Sequence, residues 1–159
     1  METSKKTIIV FSGDFDKVTA AFVIANGAAA MDDEVTMFFT FWGLNALRKD
    51  AHVPTSGKST VQKMFGAMMP RGPKKLGLSQ MNFAGVGPKL MAKAMRDENV
   101  MPLTELIATA REQGVKFIAC TMSMDVMGLH KEELLDGIEY AGVASYLGEA
   151  DEANVNLFI

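Results

Sequence analysis

Short apolar runs separated by longer amphipathic stretches dominate the chain. Lys6–Phe11, Glu34–Thr40 and Val115–Ala119 are rich in β-branched and aromatic residues and are bounded by glycine or polar residues, a pattern typical of buried strands. Val155–Ile159 has the composition of a last strand, and Gly137–Tyr140 that of a weaker one. The pattern therefore predicts about five strands.

Helical patterns lie between these strands. In Leu103–Gln113 the apolar residues recur at i, i+3, i+4 and i+7. Asp14 stands where a helix N-cap belongs, and Ala-rich residues follow it to about Met31. Strands that alternate with helices predict a three-layer α/β/α sandwich with a mostly parallel sheet. The other predicted helices are Leu44–Arg48, Pro88–Asn99, part of Ser123–Leu129, and Ala141–Glu152.

Three loops follow the predicted strands at their carboxyl ends, where such sheets bind ligands. These loops are Ser12–Asp16, Phe41–Asn45 and Cys120–Asp125. We therefore expect a site at this edge of the sheet. The candidate residues that line it are Ser12, Gly13, Asp14, Trp42, Gly43, Thr121, Met122, Ser123 and Met124.

The middle of the chain, His52–Gly87, interrupts the alternation. It is rich in glycine and proline, yet it is too apolar for a disordered linker. We interpret residues 52–87 as a mobile arm of a single domain, 1–159, with a short helix near Thr60–Met69. Two roles stay open for the arm: a lid over the site, or a subunit-packing element.

Composition excludes several classes of protein. The chain of 159 residues has a net charge of −3 and no basic-aromatic pattern, so nucleic acid is not an expected partner. One cysteine rules out a disulfide framework and fits a reducing cytoplasm. No signal-peptide core and no apolar run of roughly 20 residues is present, so we expect a cytoplasmic protein that does not enter the membrane.

Several motifs resemble known sites and fail on context. Ser56–Thr60 resembles the end of a phosphate-binding P-loop, but His52 replaces the required glycine and no strand precedes it. One cysteine and two histidines give no metal-ligand set, and no cofactor is predicted. Arg71, Lys74, Lys75 and Lys89 are interpreted as ordinary surface rather than as an anion funnel.

The single cysteine, Cys120, follows the predicted strand Val115–Ala119 and precedes a helix. A thiol in this place lies near the positive end of a helix dipole, which stabilises the thiolate. Thr121 or Ser123 can cap that helix, while Asp125 would disfavour the thiolate if it lay close. From position alone, a buried core residue and a reactive nucleophile both remain open.

Longer blocks of the chain resemble a known family. These blocks are "SGDFDK", "TMFFTFWGLNALRK", "MPRGPKKLGLSQMNFAGVG" and "IACTMSMDVMGLHKEELLDGIEYAGVASYLGEADEANVNLFI". They are similar to the DsrE/DsrF-like family, in the branch of sulfurtransferases or sulfur carriers that is sometimes labelled peroxiredoxin-like. The resemblance implies a three-layer α/β fold and trimers or hexamers. It also implies a persulfide on the cysteine at this junction, passed to TusA-like or rhodanese-like partners.

By that resemblance, Cys120 is the acceptor thiol. The main hypothesis is a homo-oligomeric sulfur carrier, or sulfurtransferase, that holds sulfane sulfur on Cys120 and passes it to a partner thiol. One alternative is a single-cysteine, peroxiredoxin-like thiol redox protein. The other is a non-catalytic oligomeric module that binds a small ligand and keeps Cys120 buried.

Overall fold

The computed structural model describes residues 3–159, and within this range the strands form one parallel sheet. Five strands pair in the order β4-β3-β2-β1-β5, each parallel to its neighbour. The predicted α/β sandwich with a five-stranded sheet is therefore confirmed. The strands are β1 (Lys5–Val10), β2 (Glu34–Phe39), β3 (Lys116–Cys120), β4 (Glu139–Ala141) and β5 (Val155–Phe158).

Six α-helices connect these strands in residues 3–159, and helices lie on both sides of the sheet. They are α1 (Phe15–Ala29), α2 (Thr60–Met68), α3 (Val86–Asp97), α4 (Leu103–Glu112), α5 (Thr121–Met127) and α6 (Val143–Asp151). None of these helices combines the length and the apolar character needed to cross a bilayer.

The two faces of the sheet are covered unequally. On one face, β-strand side chains pack with α1 and α4 into a large core, in which the Phe22 ring lies 5.6 Å from Phe117 and 6.0 Å from Phe39. On the other face a small cluster contains Phe38, Ile118, Cys120 and Tyr146. Because side chains alternate along a strand, residues 118 and 120 lie on the same face of β3.

The chain order explains this asymmetry. β4 and β5 are the two opposite edges of the sheet, so their connection has to cross from one edge to the other. α6 makes that connection and packs on both β1 and β4. Among the described elements, α6 is the one helix that contributes a buried side chain to the small cluster. The cysteine therefore lies on the thinly covered face.

Residues 52–87 contain α2, two 3₁₀ turns at Pro73–Lys75 and Phe83–Gly85, and the start of α3. The predicted short helix is confirmed at Thr60–Met68. Arg48, which is buried, donates to the backbone carbonyls of Gly66, Met69 and Pro70. These bonds fasten the carboxyl end of α2 to the body of the protein.

Three sequence-based boundaries are wrong. The predicted helix Leu44–Arg48 is a 3₁₀ helix that begins earlier, at Phe41, and ends at Leu47. The helix after the cysteine begins at Thr121 rather than Ser123. Ala141 is the last residue of β4, because it pairs with Cys120, so the following helix begins only at Val143.

Candidate functional site

Cys120 ends β3, an interior strand next to the edge strand β4, and is also the N-cap residue of α5. Its side chain makes no capping hydrogen bond, and only 3% of the residue is exposed. The thiol packs instead with Phe38, Ile118 and Tyr146 beneath α6. The predicted caps Thr121 and Ser123 are wrong, because the strand extends through Cys120 and the helix begins directly after it.

Polar contacts of Tyr146 fix α6 to the sheet above the thiol. Its buried hydroxyl lies 3.1 Å from the hydroxyl of Thr7 on β1. Thr7 also donates to Asn156 on β5, and the amide of Asn156 donates to the carbonyl of Ala150 at 3.1 Å. A buried phenol is costly unless it is hydrogen-bonded, so this chain of contacts holds the Tyr146 ring over the Cys120 cluster.

Charged contacts hold the carboxyl end of α6. Lys116, at the amino end of β3, lies 2.7 Å from Glu149 and 3.5 Å from Glu139. The hydrogen bond to Glu149, together with the charges of both carboxylates, raises the pKa of Lys116 against the effect of burial. Lys5 forms a further ion pair with Glu152, just after α6. The pairs with Glu149 and Glu152 hold the carboxyl end of α6 near the amino ends of the strands, whereas Cys120 lies at their carboxyl ends.

The amino end of α6 has no side-chain cap. Gly142 is its N-cap residue and supplies no side chain to cap the helix. Val143 and Leu147 are exposed apolar residues. Because this end follows β4, and Ala141 of β4 pairs with Cys120, the weakly capped end lies at the carboxyl edge, beside the cysteine.

The structure brings the three predicted loops together. A Cβ atom on Gly13 would lie 2.8 Å from the carbonyl oxygen of Trp42, so the first loop contacts the second closely. A Cβ on Gly43 would lie 2.0 Å from the carbonyl oxygen of Val10, a distance that excludes any larger residue. These contacts place Ser12–Asp16 against Phe41–Asn45.

A hydrogen bond joins the second loop to the third. The hydroxyl of Thr40, the residue directly after β2, lies 2.7 Å from the hydroxyl of Ser123 in α5. Ser123 is fully buried. The pair therefore links the helix that follows Cys120 to the neighbouring strand.

The polar groups of Ser12 and Asp14 in the first loop already have partners within the chain. Asp14 occupies the predicted N-cap position of α1, but its side chain makes no cap hydrogen bond and pairs with Lys17 at 3.2 Å. The Ser12 hydroxyl accepts from the Asp14 backbone at 3.0 Å, and the Ser12 N–H donates to the carbonyl of Ile159 at 3.2 Å.

The methionines near the cysteine separate into different environments. Met124 and Met127 are buried in the large core, whereas Cys120 belongs to the small cluster. Met122 is 52% exposed, and Thr121 is partly exposed. Met124 and Thr121 also border a depression of about 340 Å³ that includes His130 and does not include Cys120. The side chains of Met124 and Met127 are therefore not among those packed on the thiol.

The residues that do pack on Cys120 were partly readable from the sequence. Ile118 lies two positions before it, so strand alternation places both on one face. Phe38 and Tyr146 carry no such signal, because their proximity depends on the pairing of β2 with β3 and on the path of α6. Within residues 3–159, no three His, Cys, Asp or Glu residues are grouped so as to hold a metal ion.

Comparisons with known proteins agree with this fold. The chain is 60% identical to the uncharacterized protein YrkE of Bacillus subtilis, over 99% of this chain and 98% of that protein. It is 35% identical to the sulfur carrier protein DsrE2 of Allochromatium vinosum, over the full length of both.

Two solved structures share the fold at low identity. The ychN protein of E. coli matches 99% of this chain and 100% of its own with a TM-score of 0.56 and 11% identity. The protein MTH1491 of Methanobacterium thermoautotrophicum matches 98% of this chain and 99% of its own with a TM-score of 0.59 and 14% identity. The profile of the DsrE/DsrF/DrsH-like family matches residues 2–158, and the chain therefore belongs to that family.

Proposed function

We propose that this protein is a sulfur carrier that holds sulfane sulfur as a persulfide on Cys120 and passes it to a partner thiol. One observation carries the proposal. The single cysteine of a chain 35% identical to a sulfur carrier lies where an interior strand of the sheet ends and a helix begins. Exchange of this kind needs one nucleophilic thiolate, and no second cysteine in the same chain.

The chemistry balances with one thiol. The Cys120 thiolate attacks the outer sulfur of a donor persulfide, which forms the Cys120 persulfide and releases the donor as a thiolate. An acceptor thiolate then attacks the outer sulfur of that persulfide, takes it up, and regenerates the Cys120 thiolate. No net oxidation takes place. TusA-like or rhodanese-like proteins are the expected donors and acceptors.

The burial of Cys120 sets a condition on this proposal. With 3% of the residue exposed, a partner thiol cannot reach the sulfur in the observed conformation. Access requires the amino half of α6 to move, carrying Tyr146 away from the thiol. The ion pairs of Lys116 and Lys5 at the carboxyl end of α6 stay in place during this movement, so the helix pivots about that end.

Mass spectrometry tests the proposal. The native protein is incubated with a low-molecular-weight persulfide donor, alkylated to trap the product, and analysed as peptides. We expect one additional sulfur on the peptide that contains Cys120, and its loss when a TusA-like acceptor is added. The Cys120→Ser variant is the matched control. Absence of the adduct with every donor, or equal adduct on the variant, would contradict the proposal.

The burial itself favours a second candidate, a non-catalytic module in which Cys120 is a core residue. Alkylation of the native protein separates the two. A carrier reacts at a measurable rate in the absence of denaturant, whereas a core cysteine reacts only on global unfolding. Peroxide consumption coupled to a thiol reductant, compared with Cys120→Ser, tests the peroxiredoxin-like alternative in the same preparation.

We also propose that the protein functions as a homo-oligomer. Phe11 and Phe158 stack at 5.7 Å near the carboxyl edge and are 38% and 68% exposed. Val143 and Leu147 of α6 are exposed as well. Apolar surface of this kind on the thinly covered side of a sheet is commonly buried between subunits.

A further inference from the structure

A cavity of about 230 Å³ lies between α3 and the body of the protein. Cys120 is not among the residues that line it. Pro88, Ala92 and Met95 of α3 form one wall, at the spacing of one helix face. Phe15 of α1 and Leu103 of α4 form the opposite wall. The lining is predominantly apolar, as in small-molecule sites, and the volume is just below their usual range of roughly 300–1,000 Å³.

The charged side chains around this cavity are all positive. Lys74, Lys89 and Arg96 line it, and no Asp or Glu residue does. Lys74 is partly neutralised by Asp50 at 3.7 Å. In the described range, 3–159, neither Lys89 nor Arg96 has an ion-pair partner within 4 Å. Because the whole chain has a net charge of −3, this positive rim is a local feature.

α3 is bound to the body mainly through the residues around this cavity. Its only buried residue is Gly87 at the amino end, while Pro88, Ala92 and Met95 are half-buried within residues 3–159. The other apolar residues of α3, which are Val86, Leu90, Met91 and Ala94, are exposed. Filling the cavity with an apolar ligand would therefore add contacts where α3 has few.

We infer that this cavity binds a small amphipathic anion, and specifically the carboxylate of a medium-chain fatty acid. The alkyl chain enters between α3 and the α1–α4 wall, where it is removed from water. The carboxylate stays at the rim and pairs with Lys89 and Arg96. A compact anion without an alkyl chain would leave the apolar walls unused, and a neutral chain would leave the cations unpaired. The ligand needs both parts.

Isothermal titration calorimetry with decanoate, below its micellar concentration, tests the apolar part of this inference. We expect saturable binding with one molecule per chain. Ala92→Trp places a large side chain in the cavity and is expected to abolish it. Ala94→Trp is the matched control, since Ala94 is an exposed residue of the same helix outside the cavity lining. Decanoate binding that is absent, or equal in the two variants, would overturn the inference.

The charged part is tested with a second pair of variants. Lys89→Gln and Arg96→Gln are each expected to weaken decanoate binding at least about tenfold, as the loss of a charge-assisted hydrogen bond does. Lys93→Gln, which removes a cation paired with Asp97 and outside the lining, is expected to leave the affinity unchanged. Decanol is expected to bind at least about tenfold more weakly than decanoate. Equal affinity for the alcohol would show that the cations do not contribute and would overturn the assignment of an anion.

Vesicles of phosphatidylglycerol distinguish a free fatty acid from a lipid surface. If the chain binds these vesicles, and Ala92→Trp binds them as well as the original protein while decanoate does not bind, the cations serve a membrane surface and the inference is wrong. The persulfide assay on Cys120 runs independently of these titrations. Failure of one proposal therefore leaves the other standing.

Discussion

Ser123 shows how a fully buried polar side chain links the helix after Cys120 to the rest of the sheet. Among the described residues its hydroxyl bonds only to Thr40, at 2.7 Å. Replacement of Thr40 by Val leaves the Ser123 hydroxyl buried without that partner. We expect the free energy of unfolding to fall by about 1–3 kcal/mol, measured by urea denaturation.

The double variant Thr40→Val/Ser123→Ala supplies the control. It removes both hydroxyls, so no buried group is left unpaired, and it should be more stable than the sum of the two single changes indicates. Additive losses would show that the two hydroxyls do not interact in solution.

The local sequence was enough to predict the position of Cys120 in the fold, but not the side chains that pack on its thiol. An apolar strand followed by Thr, Ser and Asp placed the residue at a strand-to-helix junction, which the structure confirms. The burial of its thiol depends on Tyr146, a residue of α6 that follows 26 positions later in the chain. No local pattern encodes which helix covers which face.

At the scale of the element, α6 determines access to the thiol. Tyr146→Ala removes the ring that packs on the Cys120 cluster and the hydroxyl that contacts Thr7. We expect iodoacetamide to modify Cys120 in the native protein at least about tenfold faster, because the opening of α6 then costs at least about 1.4 kcal/mol less. Tyr146→Phe, which loses only the hydroxyl contact, should give a smaller increase.

Leu147→Ala is the matched control for this change. It shortens an adjacent side chain of the same helix that is already exposed, so the rate should stay close to that of the original protein. A rate for Tyr146→Ala no higher than for Leu147→Ala would mean that α6 is not the barrier. Urea denaturation of each variant separates local opening from global destabilisation.

The arm that contains α2 is fastened by a buried ion pair. Lys58 lies 2.7 Å from Glu133, and both side chains are almost completely buried. Burial disfavours the charge on the Glu133 carboxylate. The hydrogen bonds from Lys58 and the His130 backbone, with the charges of Lys58 and Arg48, outweigh this and lower its pKa.

A lowered pKa in the folded protein fixes the sign of the pH dependence. The contribution of Glu133 is complete above the pKa of the unfolded chain, about 4.3, and is lost as the pH falls through the lower, folded value. The stability difference between the original protein and Glu133→Gln should therefore be largest near neutral pH and shrink on acidification below about pH 4. Chemical denaturation across this pH range measures it. A difference that grows on acidification would contradict the assignment.

Removal of Lys58 tests the same contact without titration. Lys58→Met leaves the Glu133 carboxylate buried without its main partner and should cost about 3 kcal/mol or more. Lys49→Met is the matched control. It breaks a pair with Asp136, whose side chain is 92% exposed, and should cost less than about 1 kcal/mol. Equal losses would show that the Lys58 pair is effectively solvated.

The elements that the sequence predicted best are those with a strong period. The helix Leu103–Glu112 begins where its apolar repeat begins, and the four strands with long apolar runs lie within a residue or two of their predicted bounds. The start of the 3₁₀ helix Phe41–Leu47, predicted as Leu44–Arg48, and the start of α6 were predicted wrongly. Both depend on close backbone approach or strand pairing, such as Gly43 against Val10 and Ala141 against Cys120, which a periodic pattern does not contain.

At the scale of the molecule, the order of strands determines where apolar surface remains. The sequence predicted a parallel sheet but not which strands form its edges. Since β4 and β5 lie at opposite edges, one short helix has to cover the whole of one face. The other face receives α1 and α4 and builds the large core. The exposed apolar residues Phe11, Phe158 and Leu147 follow from this topology.

Burial of that face against a second copy of the chain gives the last prediction. Leu147→Glu places a charge on the outer side of α6, where Leu147 is 52% exposed in the single chain. We expect light scattering after size-exclusion chromatography to show an oligomer for the original protein and a lower mass for this variant, because a charge buried without a partner is costly. Val23→Glu, at a position 50% exposed on α1 on the other face of the sheet, is the matched control and should keep the original mass. An original protein that elutes as a monomer, or a Leu147→Glu variant that assembles as well as Val23→Glu, would show that this face does not form the interface.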